Sequence, residues 1–205
     1  GVGSVNIPPD TSLKVFASKL PGMSIEPDWP DTTNTILLNL RLPRIILAGV
    51  VGATLAISGA IYQGLFRNPL ADPYLIGVAS GAGLAATVVM LTGIPTQFHG
   101  VSILPMAAFL GAIIAVAMAY SIAGNSGGLP LTNLILSGVA VAAFASALTT
   151  LLMVRSNPDL RPVLSWLMGN FISARWSHTA MMLPYIIPSA LIALAYGRIL
   201  NILQL

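Results

Sequence analysis

Long apolar runs, separated by short polar or proline-rich stretches, dominate the pattern of this chain. A helix that crosses about 30 Å of hydrocarbon needs about 20 residues at 1.5 Å each. Runs of this length can be placed five times, and each ends at prolines, glycines or charged residues. They cover about 45–66, 74–92, 103–123, 134–154 and 177–197. The pattern therefore predicts an all-α fold, a polytopic transmembrane helical bundle with five spans.

The stretches outside these runs predict two short helices. Residues 12–20 have apolar side chains at helical spacing, which predicts a short amphipathic helix lying at the membrane interface. Residues 21–33 are rich in proline and acidic side chains and are expected to form a loop. The polar segment 155–175 is long enough for a short helix around 159–169. We accordingly divide the chain into a polar segment, 1–44, and a transmembrane domain, 45–205.

The charge distribution excludes most soluble functions. Only 15 of the 205 residues are charged, against roughly a quarter in an ordinary soluble domain. No Asp, Glu, Lys or Arg occurs between Pro73 and Val154. Such a chain cannot form the polar surface of a soluble enzyme. Its net charge of +3 comes from too few groups to make a nucleic-acid-binding patch. An integral membrane protein is the class that remains.

The sequence contains little that could carry out chemistry. There is no cysteine, and the two histidines, His99 and His178, lie in different segments. We therefore expect no metal site, no cofactor and no catalytic residues. The five predicted spans also contain no Asp, Glu, Lys or Arg. Ion-coupled carriers usually keep such a group inside the membrane, so its absence disfavours a transporter that powers itself.

Small residues recur every four positions in the first two predicted spans. Such stripes let helix backbones approach closely in a membrane, so we expect helix packing from these positions. They comprise Gly52, Ala56, Ala60 and Gly64 in the first span, and Gly77 and Gly81, followed by Ala85, in the second.

A stretch of some 44 residues resembles a known signature. Residues 40–83 read LRLPRIILAGVVGATLAISGAIYQGLFRNPLADPYLIGVASGAG, which is similar to the signature of the FecCD family. This family comprises permease subunits of type II ABC importers for iron–siderophore complexes, haem and cobalamin. Two later stretches, 134–152 and 159–171, are similar to the same family, so the resemblance extends over the whole chain.

The resemblance implies a multi-pass protein of the inner (cytoplasmic) cell membrane, surrounded by lipid. Family members have ten spans per subunit and work as homodimers with a second permease copy. The present spans would correspond to family spans two to six, with the Gly-Glu coupling helix following residue 205. The implied partners are cytoplasmic ATP-binding subunits and an external substrate-binding protein. Alternating access would then be driven by ATP hydrolysis on the separate subunit.

The resemblance also assigns roles to individual residues. It implies that Arg41 and Arg44 pair with glutamates of the binding protein. It places a cytoplasmic gate at two segments, the turn Asn68–Pro69–Leu70 and the loop at Leu131–Thr132. The plainer alternatives are that the arginines anchor a helix end at lipid headgroups and that the two segments are ordinary helix–helix turns.

The distribution of basic residues and the family resemblance predict opposite orientations of the chain in the membrane. Most basic residues lie in 1–44 and 155–175, and the positive-inside rule would make that side cytoplasmic. The resemblance implies the reverse, and we follow it because a binding protein must dock on the basic side. We therefore expect 1–44 and 155–175 to be external, and 67–73 and 124–133 to be cytoplasmic.

Two other classes of function fit the same apolar pattern. One is a self-contained secondary carrier or channel without an ATPase partner, and the other is an inert membrane scaffold. A carboxylate inside the membrane elsewhere in the protein would favour the carrier. A Gly-Glu coupling segment after residue 205 would favour the importer.

Overall fold

The computed structural model describes residues 3–23, 25–98, 101–124, 131–156 and 160–203. Among these residues the regular structure is helical except for a two-residue hairpin pair, β1 (Gln97–Phe98) with β2 (Val101–Ser102). Two expectations fall outside them: His99, and positions 125–130 of the predicted cytoplasmic loop. In chain order the helices are α1 (Pro9–Ala17), α2 (Asp31–Asn34), a π-helical segment (Thr35–Arg41), α3 (Leu42–Phe66), a 3₁₀ helix (Pro73–Ile76), α4 (Val78–Leu91), α5 (Ile103–Gly124), α6 (Leu131–Arg155), α7 (Arg161–Met168) and α8 (Trp176–Leu203).

Four helical stretches are long and apolar enough to cross a membrane. They contain α3, which continues the helical stretch that begins at Asp31, together with α5, α6 and α8. These contain four of the predicted spans, although the first helical stretch begins at Asp31, well before residue 45, and α8 continues to Leu203, past residue 197. Helix α8 runs through Pro184 and Pro188 without ending. The predicted predominantly helical architecture is therefore confirmed, with four helical stretches long and apolar enough to span a membrane.

The predicted span over 74–92 is not a single helix. Its first turn is the 3₁₀ helix, and Gly77 then adopts a left-handed conformation with φ of +82° before α4 begins. The 14 residues of α4 extend only about 21 Å at 1.5 Å per residue, which is shorter than the hydrocarbon layer. A count of five full-length spans is therefore not confirmed.

The contacts divide the chain into two units, and the first comprises 1–55 and 171–195. Its N-terminal part has an apolar cluster of its own, formed by Ile7, Val15, Trp29 and Leu37. Helix α1 begins three residues earlier than expected, and its Val15 is fully buried in this cluster while Leu13 is 70% exposed. One face of α1 therefore packs on protein, and the interfacial location of the helix stays a prediction.

An ion pair on the surface of this unit joins α1 to the following loop. The ammonium group of Lys14 lies 2.5 Å from Oδ2 of Asp28. The hydrogen bond lowers the pKa of the Asp28 carboxyl below its ordinary value and raises the pKa of Lys14. Both side chains are exposed to solvent, so the pair fixes the loop more than it stabilises the fold.

The second unit comprises 56–170 and 196–205, and its centre is the packing of α4, α5 and α6. Helices α4 and α5 cross at Gly81 and Gly111. A Cβ atom built on Gly81 would lie 2.5 Å from both the Ala115 Cβ and the Gly111 carbonyl oxygen. Only glycine permits this approach, so the contact depends on the absence of both side chains.

Helix α6 makes a similar approach to the 3₁₀ helix. A Cβ atom on Gly138 would lie 2.6 Å from the Ile76 Cα. The buried hydroxyl of the preceding residue, Ser137, donates to the Ala119 carbonyl of α5, with an Oγ···O distance of 2.8 Å. Small residues thus bring the backbones together, and a hydroxyl adds a hydrogen bond between α5 and α6.

Candidate functional site

The two arginines that the resemblance suggested for docking lie where the π-helical segment meets α3: Arg41 is the last residue of the π-helical segment, and Arg44 lies in the first turn of α3. The preceding segment is a π helix, in which Leu42 N–H donates to the Leu37 carbonyl, five residues back. Single π turns inside helices are often found at functional sites. Pro43, between the two arginines, has a fully buried side chain. The arginines are therefore presented on a distorted helix whose apolar side is packed.

Each arginine is bound to a distant backbone carbonyl of its own unit. Arg41 Nη2 donates to the Val5 carbonyl. Arg44 Nη2 donates to the Ile172 carbonyl at 2.5 Å. The Nε atom of Arg44 is buried and has no hydrogen-bond partner in the described part of the chain. Sequence reasoning did not find these contacts, since they join positions 36 and 128 residues apart. Their role in docking a partner remains a prediction.

The turn that follows α3 is braced by side chains. Arg67 adopts a left-handed conformation with φ of +47°. The Asn68 side-chain oxygen accepts the Leu70 N–H at 2.9 Å, and the Asp72 carboxylate accepts the Tyr74 N–H at 2.8 Å. Short polar side chains commonly organise turns in this way. Pro69 removes one further degree of freedom. The result is a rigid turn with Leu70 at its tip, 84% exposed.

The other two residues suggested for the gate lie on a helix and not on a loop. Leu131 and Thr132 form the first turn of α6, which begins three residues before the predicted span. Leu131 is half-buried and Thr132 is exposed. The gate role of Leu131 and Thr132 stays a prediction.

The two small-residue stripes have different surroundings. Gly77 lies near the Gly138 carbonyl and Gly81 lies at the crossing with α5, so the second stripe faces protein. On α3, no heavy atom of the described residues would lie within 4 Å of a Cβ atom on Gly52. The packing role predicted for the stripe Gly52, Ala56, Ala60 and Gly64 stays a prediction.

An apolar groove of about 420 Å³ lies on α4, α5 and α6. Its walls include Leu84, Leu110, Met118 and Phe144, and none of the described residues that line it is charged. Such a groove offers a ligand only apolar contact, and it cannot orient one through charge. Among the described residues, no group of three His, Asp or Glu side chains is arranged to hold a metal ion.

The whole chain, residues 1–205, matches the FecCD transport family. Among similar proteins, the cobalamin import system permease protein BtuC of Halobacterium salinarum is 44% identical over 174 residues, which are 85% of this chain. The hemin transport system permease protein HmuU of Yersinia pestis is 38% identical over 86% of this chain. An uncharacterized ABC transporter permease protein of Bacillus subtilis, YvrB, is 37% identical over 98%.

A solved structure has a similar fold. It is described as an inward-facing conformation of a metal-chelate type ABC transporter, and it superposes with a TM-score of 0.74 at 30% identity. The match covers 96% of this chain and 61% of that one. The chain likewise spans only about half the length of the relatives, namely 46% of BtuC, 54% of HmuU and 57% of YvrB.

Proposed function

The chain belongs to the FecCD transport family, and we propose that it forms part of the membrane-spanning permease of an ATP-driven importer. The family match over the entire chain carries this proposal. Relatives named as permeases for cobalamin and for hemin suggest a bulky metal chelate as the substrate. Iron–siderophore complexes belong to the same substrate class. The chain itself would hydrolyse no ATP.

The proposed importer has four further components. Cytoplasmic ATP-binding subunits supply the energy, and an external substrate-binding protein delivers the chelate. A second permease copy completes the pathway, and lipid of the inner (cytoplasmic) membrane surrounds it. The long apolar helices support the membrane location, since the apolar windows of α3 and α8 are only 6% and 0% buried within this chain. These faces require lipid or another protein to cover them.

The roles of individual residues follow from this proposal. Arg41 and Arg44 belong to the external docking face, where they would orient the binding protein more than hold it. The turn at Asn68, Pro69 and Leu70 belongs to the cytoplasmic gate, together with the first turn of α6 at Leu131 and Thr132. The two hydrogen bonds that brace the turn support such a role, because a closed gate must hold the Leu70 side chain in a fixed position.

Uptake by the full-length protein tests the proposal. The permease would be reconstituted with its ATP-binding subunits in proteoliposomes, and uptake of radiolabelled cobalamin and hemin measured. We expect that one of the two substrates is taken up, and that its uptake requires both hydrolysable ATP and the binding protein. A non-hydrolysable ATP analogue serves as the control. Uptake driven by a proton or sodium gradient alone would contradict the importer and support the secondary carrier.

Orientation can be tested with single cysteines, because these 205 residues contain none, and any cysteine elsewhere in the full-length protein would first be replaced by serine. Leu70→Cys and Met168→Cys replace side chains that are 84% and 85% exposed. In right-side-out vesicles of the full-length protein, a membrane-impermeant thiol reagent should label position 168 and not position 70. The reverse labelling would show that the orientation is inverted and that the positive-inside rule gives the correct side.

A further inference from the structure

The π-helical segment before α3 leaves one carbonyl in an unusual situation. In the π register Leu42 N–H donates to the Leu37 carbonyl. The next donor in that register would be residue 43, which would pair with the Leu38 carbonyl. Residue 43 is proline, which has no N–H. The sequence itself therefore prevents this register from supplying a donor to Leu38.

Trp176 supplies a donor to that carbonyl from the far end of the same unit. Its indole Nε1–H donates to the Leu38 carbonyl at 3.1 Å. Trp176 is the first residue of α8 and lies 138 positions further along the chain. A tryptophan that only marks the headgroup level would direct this N–H to water or lipid. Here the N–H is used to fix a distorted helix.

A second hydrogen bond joins the same two segments in the opposite direction. Arg44 donates to the Ile172 carbonyl, four residues before Trp176. The two bonds therefore connect residues 38–44 with residues 172–176 at both ends. Because Arg41 lies between Leu38 and Arg44, its position also depends on the π segment that Trp176 holds.

We propose that Trp176 is a positioning residue for the docking arginines. By donating to the Leu38 carbonyl it holds the π segment and so sets where Arg41 and Arg44 stand on the external face. This inference rests on the proposed function, in which that face receives a substrate-binding protein. It assigns to the start of α8 a part in recognition that its sequence pattern does not suggest.

The test uses the full-length transporter, with its ATP-binding subunits, in lipid nanodiscs. One variant is Trp176→Phe, and in a second the indole is replaced by benzothiophene, which keeps the ring size and has no N–H. We expect both to bind the purified substrate-binding protein about three- to tenfold more weakly, as loss of one hydrogen bond implies. Hydrogen exchange of the amides in residues 35–42 should become faster. Unchanged affinity in the benzothiophene variant would overturn the proposal.

A double-mutant cycle tests the reason for the loss. Pro43→Ala restores an N–H at position 43, which can donate to the Leu38 carbonyl. In that background Trp176→Phe should cost less than about twofold in affinity, because the carbonyl has a second donor. If Trp176→Phe weakens the affinity equally in the unmodified and the Pro43→Ala proteins, Trp176 does not act through the Leu38 carbonyl, and the proposal is overturned.

Two controls separate this inference from the proposed function. Trp166 in α7 is a matched tryptophan that lies outside the two hydrogen-bonded segments, 38–44 and 172–176. Trp166→Phe should therefore leave the affinity for the substrate-binding protein unchanged. The double variant Arg41→Glu, Arg44→Glu tests docking itself. If the arginine variant binds the substrate-binding protein more weakly while the Trp176 variants bind it with unchanged affinity, only the positioning role is overturned. An unaffected arginine variant would overturn the docking role, and the positioning role with it.

Discussion

Replacing Gly81 by alanine is expected to destabilise the full-length protein markedly, although the substitution adds a single methyl group. The new Cβ atom would lie 2.5 Å from the Ala115 Cβ and from the Gly111 carbonyl oxygen. Neither group can turn away, because one is a backbone atom and the other is fixed to a helix backbone. Helices α4 and α5 must therefore separate. Overpacking of this kind costs about 1–3 kcal/mol, which lowers the melting temperature by roughly 2–10 °C.

The matched control is the same substitution at Gly52 in α3, where a Cβ atom meets no heavy atom within 4 Å. Alanine favours a helix over glycine by about 1 kcal/mol, so Gly52→Ala should leave the melting temperature of the isolated permease unchanged or raise it. Thermal melts of both variants in one detergent provide the comparison. Equal melting temperatures for Gly81→Ala and the unmodified protein would show that α4 and α5 do not cross at this distance. If Gly52→Ala lowers the melting temperature of the assembled dimer but not that of the isolated permease, the small-residue stripe on α3 contacts the second copy.

The long helices could be predicted from the sequence because their signal is local. The span predicted at 103–123 corresponds to α5, which ends at Gly124. An apolar segment of this length satisfies its backbone hydrogen bonds in a membrane by forming a helix. The prediction for 74–92 was less successful because hydropathy does not report backbone conformation. The left-handed Gly77 divides that run, although the sequence offers the glycine itself as a signal.

The candidate site could be predicted only in part, because its contacts join distant positions. The motif identified Arg41 and Arg44, but the carbonyls that they bind belong to Val5 and Ile172. Any backbone carbonyl can accept a hydrogen bond, so no residue type marks these two positions. The turn at Asn68 was more accessible to prediction, since a short polar side chain before a proline is a local turn signal. The π segment has a signal in Pro43, whose missing N–H disturbs the helical register.

Replacing Leu70 by alanine is expected to uncouple ATP hydrolysis from uptake in the complete transporter. Leu70 is 84% exposed in this chain and stands on a turn braced by Asn68 and Asp72. In a closed gate this side chain would be buried against the second copy, which contributes about 1.5–3 kcal/mol for a leucine. Losing most of that energy would raise the open fraction of the gate by about tenfold or more. The measurement is the number of ATP molecules hydrolysed per substrate moved in proteoliposomes.

Exposure alone does not make a leucine part of a gate, so the comparison needs another highly exposed leucine elsewhere in the chain. Leu194 in α8 is 72% exposed, and Leu194→Ala should leave the coupling unchanged. Asn68→Ala removes the acceptor of the Leu70 N–H, and it should uncouple transport even though Leu70 is intact. Because Leu70 contributes little packing within this chain, the melting temperature of Leu70→Ala should stay close to that of the unmodified protein. Normal coupling together with a sharply lower melting temperature would instead make Leu70 a packing residue of the assembled transporter, and the gate assignment would then be wrong.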